Sequence, residues 1–185
     1  QADNTLVIFM SDHGEMLGDH GIYLKGPYFY EPAVRVPLLV RGPGVTPGLR
    51  SDALVELTDL APTLLDAADL PPSPAMQGRS LWPLLTGGVD PSHHRDDVYC
   101  EYLNAMPWHQ DPQPHLTMVR TAGHKLVHAH GLDTGELYDL DADPTETDNL
   151  WDDAAAQRVK ADLMLRLADR LAWTTDPGPA RRGDW

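Results

Sequence analysis

Four short segments in the C-terminal half alternate apolar and polar residues, and one long amphipathic stretch follows them. Val98 to Leu103, Leu116 to Thr121, His124 to Ala129 and Glu136 to Leu140 each carry the two-residue period of a half-buried strand. Turn signals at Ala122-Gly123 and Asp133-Thr134-Gly135 separate the later segments, so the pattern predicts a small antiparallel sheet. From Asp152 to Trp173 the period changes. Val159, Leu163, Leu167 and Leu171 recur every fourth residue, which predicts a helix with one apolar face lying on that sheet. The tail from Asp176 to Trp185, rich in proline and glycine, is expected to be loose.

The N-terminal half reads differently. Thr5 to Met10 is apolar almost throughout, as suits a strand covered on both faces. Gly14, Gly18, Gly21 and Gly26 then break the chain into a loop. Val34 to Val40, interrupted by Pro37, predicts a second strand that ends at Arg41-Gly42-Pro43-Gly44. Thr58 or Asp59 suits the cap of a short helix over Leu60 to Ala68, whose first turn tolerates Pro62. Ser80 to Leu85 predicts one further helical turn. Residues 88–97 are polar and mark the expected boundary. The division is therefore 1–90 for an α/β part, 91–175 for the antiparallel sheet with its helix, and 176–185 for the tail.

A formal charge of −14, from 28 acidic and 14 basic side chains, argues against nucleic acid or an anionic membrane as partner. It leaves room for a small anionic substrate, because a metal ion and one lysine reverse the potential locally. The single cysteine, Cys100, excludes an intrachain disulfide and leaves the compartment open. No apolar stretch reaches membrane-spanning length. The chain enters a core strand almost at once, so its natural start is expected upstream, where any signal region would lie. Oligomeric state is not legible.

The chemistry concentrates where the first strand ends. Ser11-Asp12-His13-Gly14 closes that strand, and Lys25 follows. Strand ends are where an open α/β sheet presents its chemistry. Neighbouring strand residues point to opposite faces, so Asp12 and His13 converge on one ion only if the strand stops there. An oxygen and a nitrogen donor suit a hard or borderline divalent ion. Asp12-His13-Gly14 also suits a plain turn, with the aspartate satisfying backbone donors. Other signals are weaker. Asp139-x-Asp141-x-Asp143 starts like a calcium loop, but Pro144 stands where glycine is needed and Leu150 where glutamate is needed. The nine acids from Asp133 to Asp153, and the pair Asp96-Asp97, read as solvated surface. The remaining histidines lack zinc spacing. Glu31 and Arg35 stand four apart and suit an ion pair.

The block from Ser11 to Lys25, with Tyr30-Glu31 and Arg35-Val36-Pro37-Leu38-Leu39-Val40, resembles the type I sulfatases of the alkaline phosphatase superfamily. Asp59-Leu60-Ala61-Pro62-Thr63, Gln77-Gly78-Arg79-Ser80-Leu81-Trp82, and Glu136-Leu137-Tyr138-Asp139-Leu140 with Asp143-Pro144-Thr145-Glu146 continue the resemblance in the same order. It implies the C-terminal part of a doubly wound α/β sheet followed by a small antiparallel sheet packed by a C-terminal helix. It also implies that Asp12 and His13 ligate a divalent metal, calcium foremost, with magnesium or manganese as alternatives. Lys25 then takes a catalytic, substrate-binding role against the sulfate oxygens. The substrate class is a sulfate ester of a small molecule or a carbohydrate. His20 has either a substrate contact or a structural hydrogen bond, and Trp108 and His109 fall on a loop that in such enzymes rims the pocket.

The family's nucleophile sits in a Cys/Ser-x-Pro-x-Arg motif, whose first residue becomes formylglycine. These 185 residues contain no such motif. The formylglycine and the remaining metal ligands are therefore expected in a missing N-terminal half, and the chain alone is expected to be inactive. Two other readings compete with the sulfatase: a phosphonate or phosphate monoester hydrolase of the same superfamily, and a non-catalytic module that keeps the fold.

Overall fold

The computed structural model describes residues 1–103 and 113–174. The expected rim loop with Trp108 and His109, and the tail 176–185, lie outside the described residues. Strand β1 (Val7–Met10) pairs antiparallel with β2 (Leu38–Arg41), with Phe9 opposite Leu39. Val7, Phe9 and Leu39 are exposed, Phe9 at 63%, so β1 is not covered on both faces as its apolar run predicts. Between the strands lies α1 (Glu31–Val34), a single turn with a proline near its start. The second strand therefore begins only after Pro37, which has no N–H for a sheet ladder. Helices α2 (Leu60–Ala67) and α3 (Trp82–Leu85) follow as the sequence predicts.

The second sheet runs β3 (Val98–Leu103), β4 (His115–Arg120), β5 (His124–Ala129) and β6 (Thr134–Asp139), each antiparallel to its neighbour in that order. Helix α4 (Gln157–Thr174) covers one face. There Val119, Leu126 and Leu137 are buried against Trp151, Leu163 and Leu167. Each such fully buried side chain contributes about 1.5–3 kcal/mol. Neighbouring residues point the other way, and there Met118 and Val127 close on Phe29 from the N-terminal half. The small sheet is thus sandwiched between its own helix and the segment that leads into α1.

Gly135, which the sequence places in a turn, lies inside β6 opposite His128. A Cβ there would stand 2.4 Å from the Trp151 ring, so only glycine lets that indole close on the sheet. The chain enters α4 later than the periodicity predicts. Asp153 accepts the Ala155 N–H at 2.7 Å in a turn, and regular helix starts at Gln157. Lys160 reaches back over Trp151, 3.6 Å from the ring centre, and donates to its carbonyl.

The polar connection before β3 is pinned at both ends. Arg95 is 4% exposed and pairs with Glu56 at 2.6 Å and with Asp59. Asp59, fully buried, also accepts the N–H groups of Glu56 and Arg79. Asp97 is not the solvated residue its polar surroundings suggest. It turns inward to Arg166 at 3.0 Å and Arg170 at 3.5 Å on α4.

Candidate functional site

The strand stops because Ser11 folds the chain back. Its hydroxyl donates to the His13 carbonyl at 2.6 Å. The His13 N–H donates to Asp12 Oδ1 at 3.0 Å, and Asp12 Oδ2 stands 3.8 Å from His13 Nε2. His13 Nδ1 lies 2.8 Å from the Gly14 carbonyl, which can only accept. That contact puts a proton on Nδ1, so the neutral form of the ring presents its lone pair at Nε2, the arrangement common to metal-ligating histidines. Bonds from such donors to a divalent ion are roughly 2–2.6 Å, so one ion can bridge the separation. The donor set fits a divalent ion but does not enclose one. No group of three or more His, Cys, Asp or Glu with metal-binding geometry occurs among the described residues.

Gly14 locks this turn to α1. Its N–H donates to the Ala33 carbonyl at 2.8 Å, and a Cβ at this position would stand 1.9 Å from the Pro32 oxygen. Lys25 is held back toward the same turn, with Nζ 3.4 Å from Glu15 Oε2. The structure thus brings Asp12 and His13 together and ties Lys25 to the residue after Gly14. The intervening loop is unusually left-handed, with Leu17 at φ 49° and His20 at φ 54° beside Gly18 and Gly21. His20 is braced by an aromatic contact: its ring stacks on Tyr30 at 3.9 Å between centroids.

A group of buried charges lies behind the turn, and periodicity alone does not predict it. Lys125 is 1% exposed and donates to the Phe29 carbonyl at 2.8 Å. It pairs with Glu31 Oε1 at 2.7 Å and Glu146 Oε1 at 2.6 Å. Glu31 therefore turns to Lys125, and to Arg120 at 3.2 Å, rather than forming the expected pair with Arg35. Burial raises the Glu31 carboxyl, but Lys125 and Arg120 outweigh it and hold the group below the usual carboxylate range. Glu136 behaves oppositely. Burial pushes it up, and the Tyr30 hydroxyl that donates to it at 3.3 Å lowers it only in part.

The acidic stretch from Asp133 to Asp153 is consequently not uniformly solvated, since Glu146 is 2% exposed. The carboxylates of the failed calcium loop cap backbone instead. Asp139 accepts the N–H groups of Asp141 and Ala142, and Asp143 those of Thr147 and Asp148. One sequence signal for the buried lysine exists: alternation places Lys125 on the face of Val127 and Ala129, which is otherwise apolar.

Known proteins share this architecture. An N-acetylglucosamine-6-O-sulfatase of Bacteroides thetaiotaomicron is 34% identical over 182 residues, which covers 97% of this chain and 32% of that relative. The chain therefore spans about a third of that relative's length. A protein solved with its substrate D-glucosamine-2-N,6-O-disulfate superposes with a TM-score of 0.82 at 30% identity, over 98% of this chain and 37% of that one. The phosphonate monoester hydrolase of Agrobacterium radiobacter superposes with a TM-score of 0.83 at 32% identity, over 94% and 36% respectively. Residues 18–172 match the family described as N-sulphoglucosamine sulphohydrolase, C-terminal. With the family match, the sequence identity and the superpositions all pointing the same way, the chain belongs to that C-terminal family of the type I sulfatases.

Proposed function

We propose that these residues form one edge of a metal-dependent sulfatase site that hydrolyses a sulfate ester of a carbohydrate or small alcohol. One observation carries the reading: Asp12 Oδ2 and His13 Nε2 stand 3.8 Å apart at the end of β1, with His13 Nδ1 turned to the Gly14 carbonyl at 2.8 Å. A divalent ion held there would anchor the anionic ester and polarise it as a Lewis acid. Lys25 supplies an ammonium to offset the sulfate charge as it builds in transfer, and Glu15 holds that ammonium near the turn. The nucleophile and the other ligands come from protein outside these residues, so the chain alone is inactive. The superposition on a phosphonate monoester hydrolase keeps phosphonate esters as the second substrate class.

Calorimetric titration with calcium or manganese tests the edge reading. Two donors predict binding weaker than micromolar by the 185-residue chain, and sub-micromolar binding would sink it. In the active protein, Asp12→Ala should lower kcat/KM on an aryl sulfate by about a hundredfold or more. Activity unchanged by that substitution would favour the non-catalytic module. Paired kinetics on an aryl sulfate and a phosphonate monoester decide the substrate class.

A further inference from the structure

Glu31 is gripped twice, once by β5 of the small sheet and once by the connection after β6. Its carboxylate meets Lys125 at 2.7 Å, and its backbone N–H donates to Glu146 Oε2 at 2.7 Å. Glu146 holds the second grip from an unfavourable backbone, at φ 57°, in the left-handed region that residues with a side chain avoid. Lys125 also takes the Phe29 carbonyl, so residues 29 and 31 are fixed to one ammonium on β5. Two residues past Glu31, the Ala33 carbonyl receives the Gly14 N–H. A continuous chain of short polar contacts therefore runs from β5, through α1, to the turn that carries Asp12 and His13.

Stability alone does not explain such a cluster. Well-packed apolar side chains often hold a core at least as well as buried ion pairs do, because the ions lose their hydration. What the ions add is direction, since each contact fixes a distance and an angle. We propose that Lys125 and Glu146 are positioning residues: by gripping Glu31 they fix the Ala33 carbonyl, and with it the orientation of the Asp12–His13 turn. Their consequence for catalysis rests on the metal-edge reading above; the mechanical link does not.

Amide hydrogen exchange of the whole chain, read residue by residue by NMR, tests the link. Glu31→Ala removes the carboxylate grip on the α1 side, leaving the residue 31 N–H on Glu146 and Lys125 on the Phe29 carbonyl. Glu146→Gln weakens the link from the connection after β6. In both variants the Gly14 amide should exchange about tenfold faster or more, while Val119 and Leu126 in the central strands keep their protection. Gly14 exchange unchanged from wild type would overturn the proposal. Loss of protection at Gly14, Val119 and Leu126 together would also overturn it, because the ions would then be general core elements. If the wild-type chain binds no manganese at the turn, the metal-edge reading fails and the Gly14 result stands by itself.

Discussion

Gly14 carries more of this site than its size suggests. Its N–H is the bond that holds the turn to α1, and the space where a side chain would begin is already occupied by the Pro32 carbonyl. Gly14→Ala must push the turn off α1 or displace α1 from the sheet. The substitution should cost about 2 kcal/mol or more in a urea unfolding curve, within the range of severe backbone clashes. A loss below about 0.5 kcal/mol, the scale of a neutral surface change, would mean the turn relaxes freely. At this scale the sequence is a good guide to short-range chemistry. Asp12 and His13 meet because they are adjacent and the strand stops. Lys125 is harder to foresee, because its partners Phe29, Glu31 and Glu146 lie far from it along the chain and only the fold assembles them.

Strands β4 and β5 bring three histidines together. His115 and His130 stand 4.4 Å apart between ring centroids, and His128 and His130 stand 4.7 Å apart. Thr117 Oγ1 lies 2.7 Å from His130 Nε2, and His128 stacks on Trp151 at 6.0 Å. Burial lowers both His128 and His130. Lys160 adds to the effect at His128, and the neighbouring histidines add to it at His130. A histidine whose folded pKa is depressed binds its proton more readily in the unfolded chain. Stability is then complete above about pH 6.5, the unfolded value, and is lost as pH falls below it. The melting temperature should drop between pH 7 and pH 5.5, and His130→Asn should flatten that slope. A slope identical in the variant would remove the histidines as its cause. Among the elements, β3 and β5 match their sequence bounds because their alternation is clean. Helix α1 was not legible: Val34 opens the apolar run Val34 to Val40 that reads as strand, and only the closure onto the sheet selects a turn of helix over Glu31–Val34.

At the scale of the molecule, the small sheet has two clients. Its apolar face carries α4, and its other face combines Met118 and Val127 with the charges that hold Glu31. Arg95, Asp59 and Glu56 join the segment before β3 to the N-terminal half, and Arg170 joins α4 to the same cluster. The strand-end turn is thus supported from behind by the C-terminal sheet while Asp12 and His13 face outward. Apart from α1, the order of elements was legible from local patterns, whereas this support depends on contacts no local pattern encodes. The most direct test of a metal edge at that turn is manganese(II) line broadening across the amide spectrum of the chain. The His13 and Gly14 signals should broaden first, and Asp12→Ala should abolish the effect. Broadening centred on the acidic residues 139–153, or on His115, His128 and His130, with the signals of His13 and Gly14 still sharp, would contradict the account.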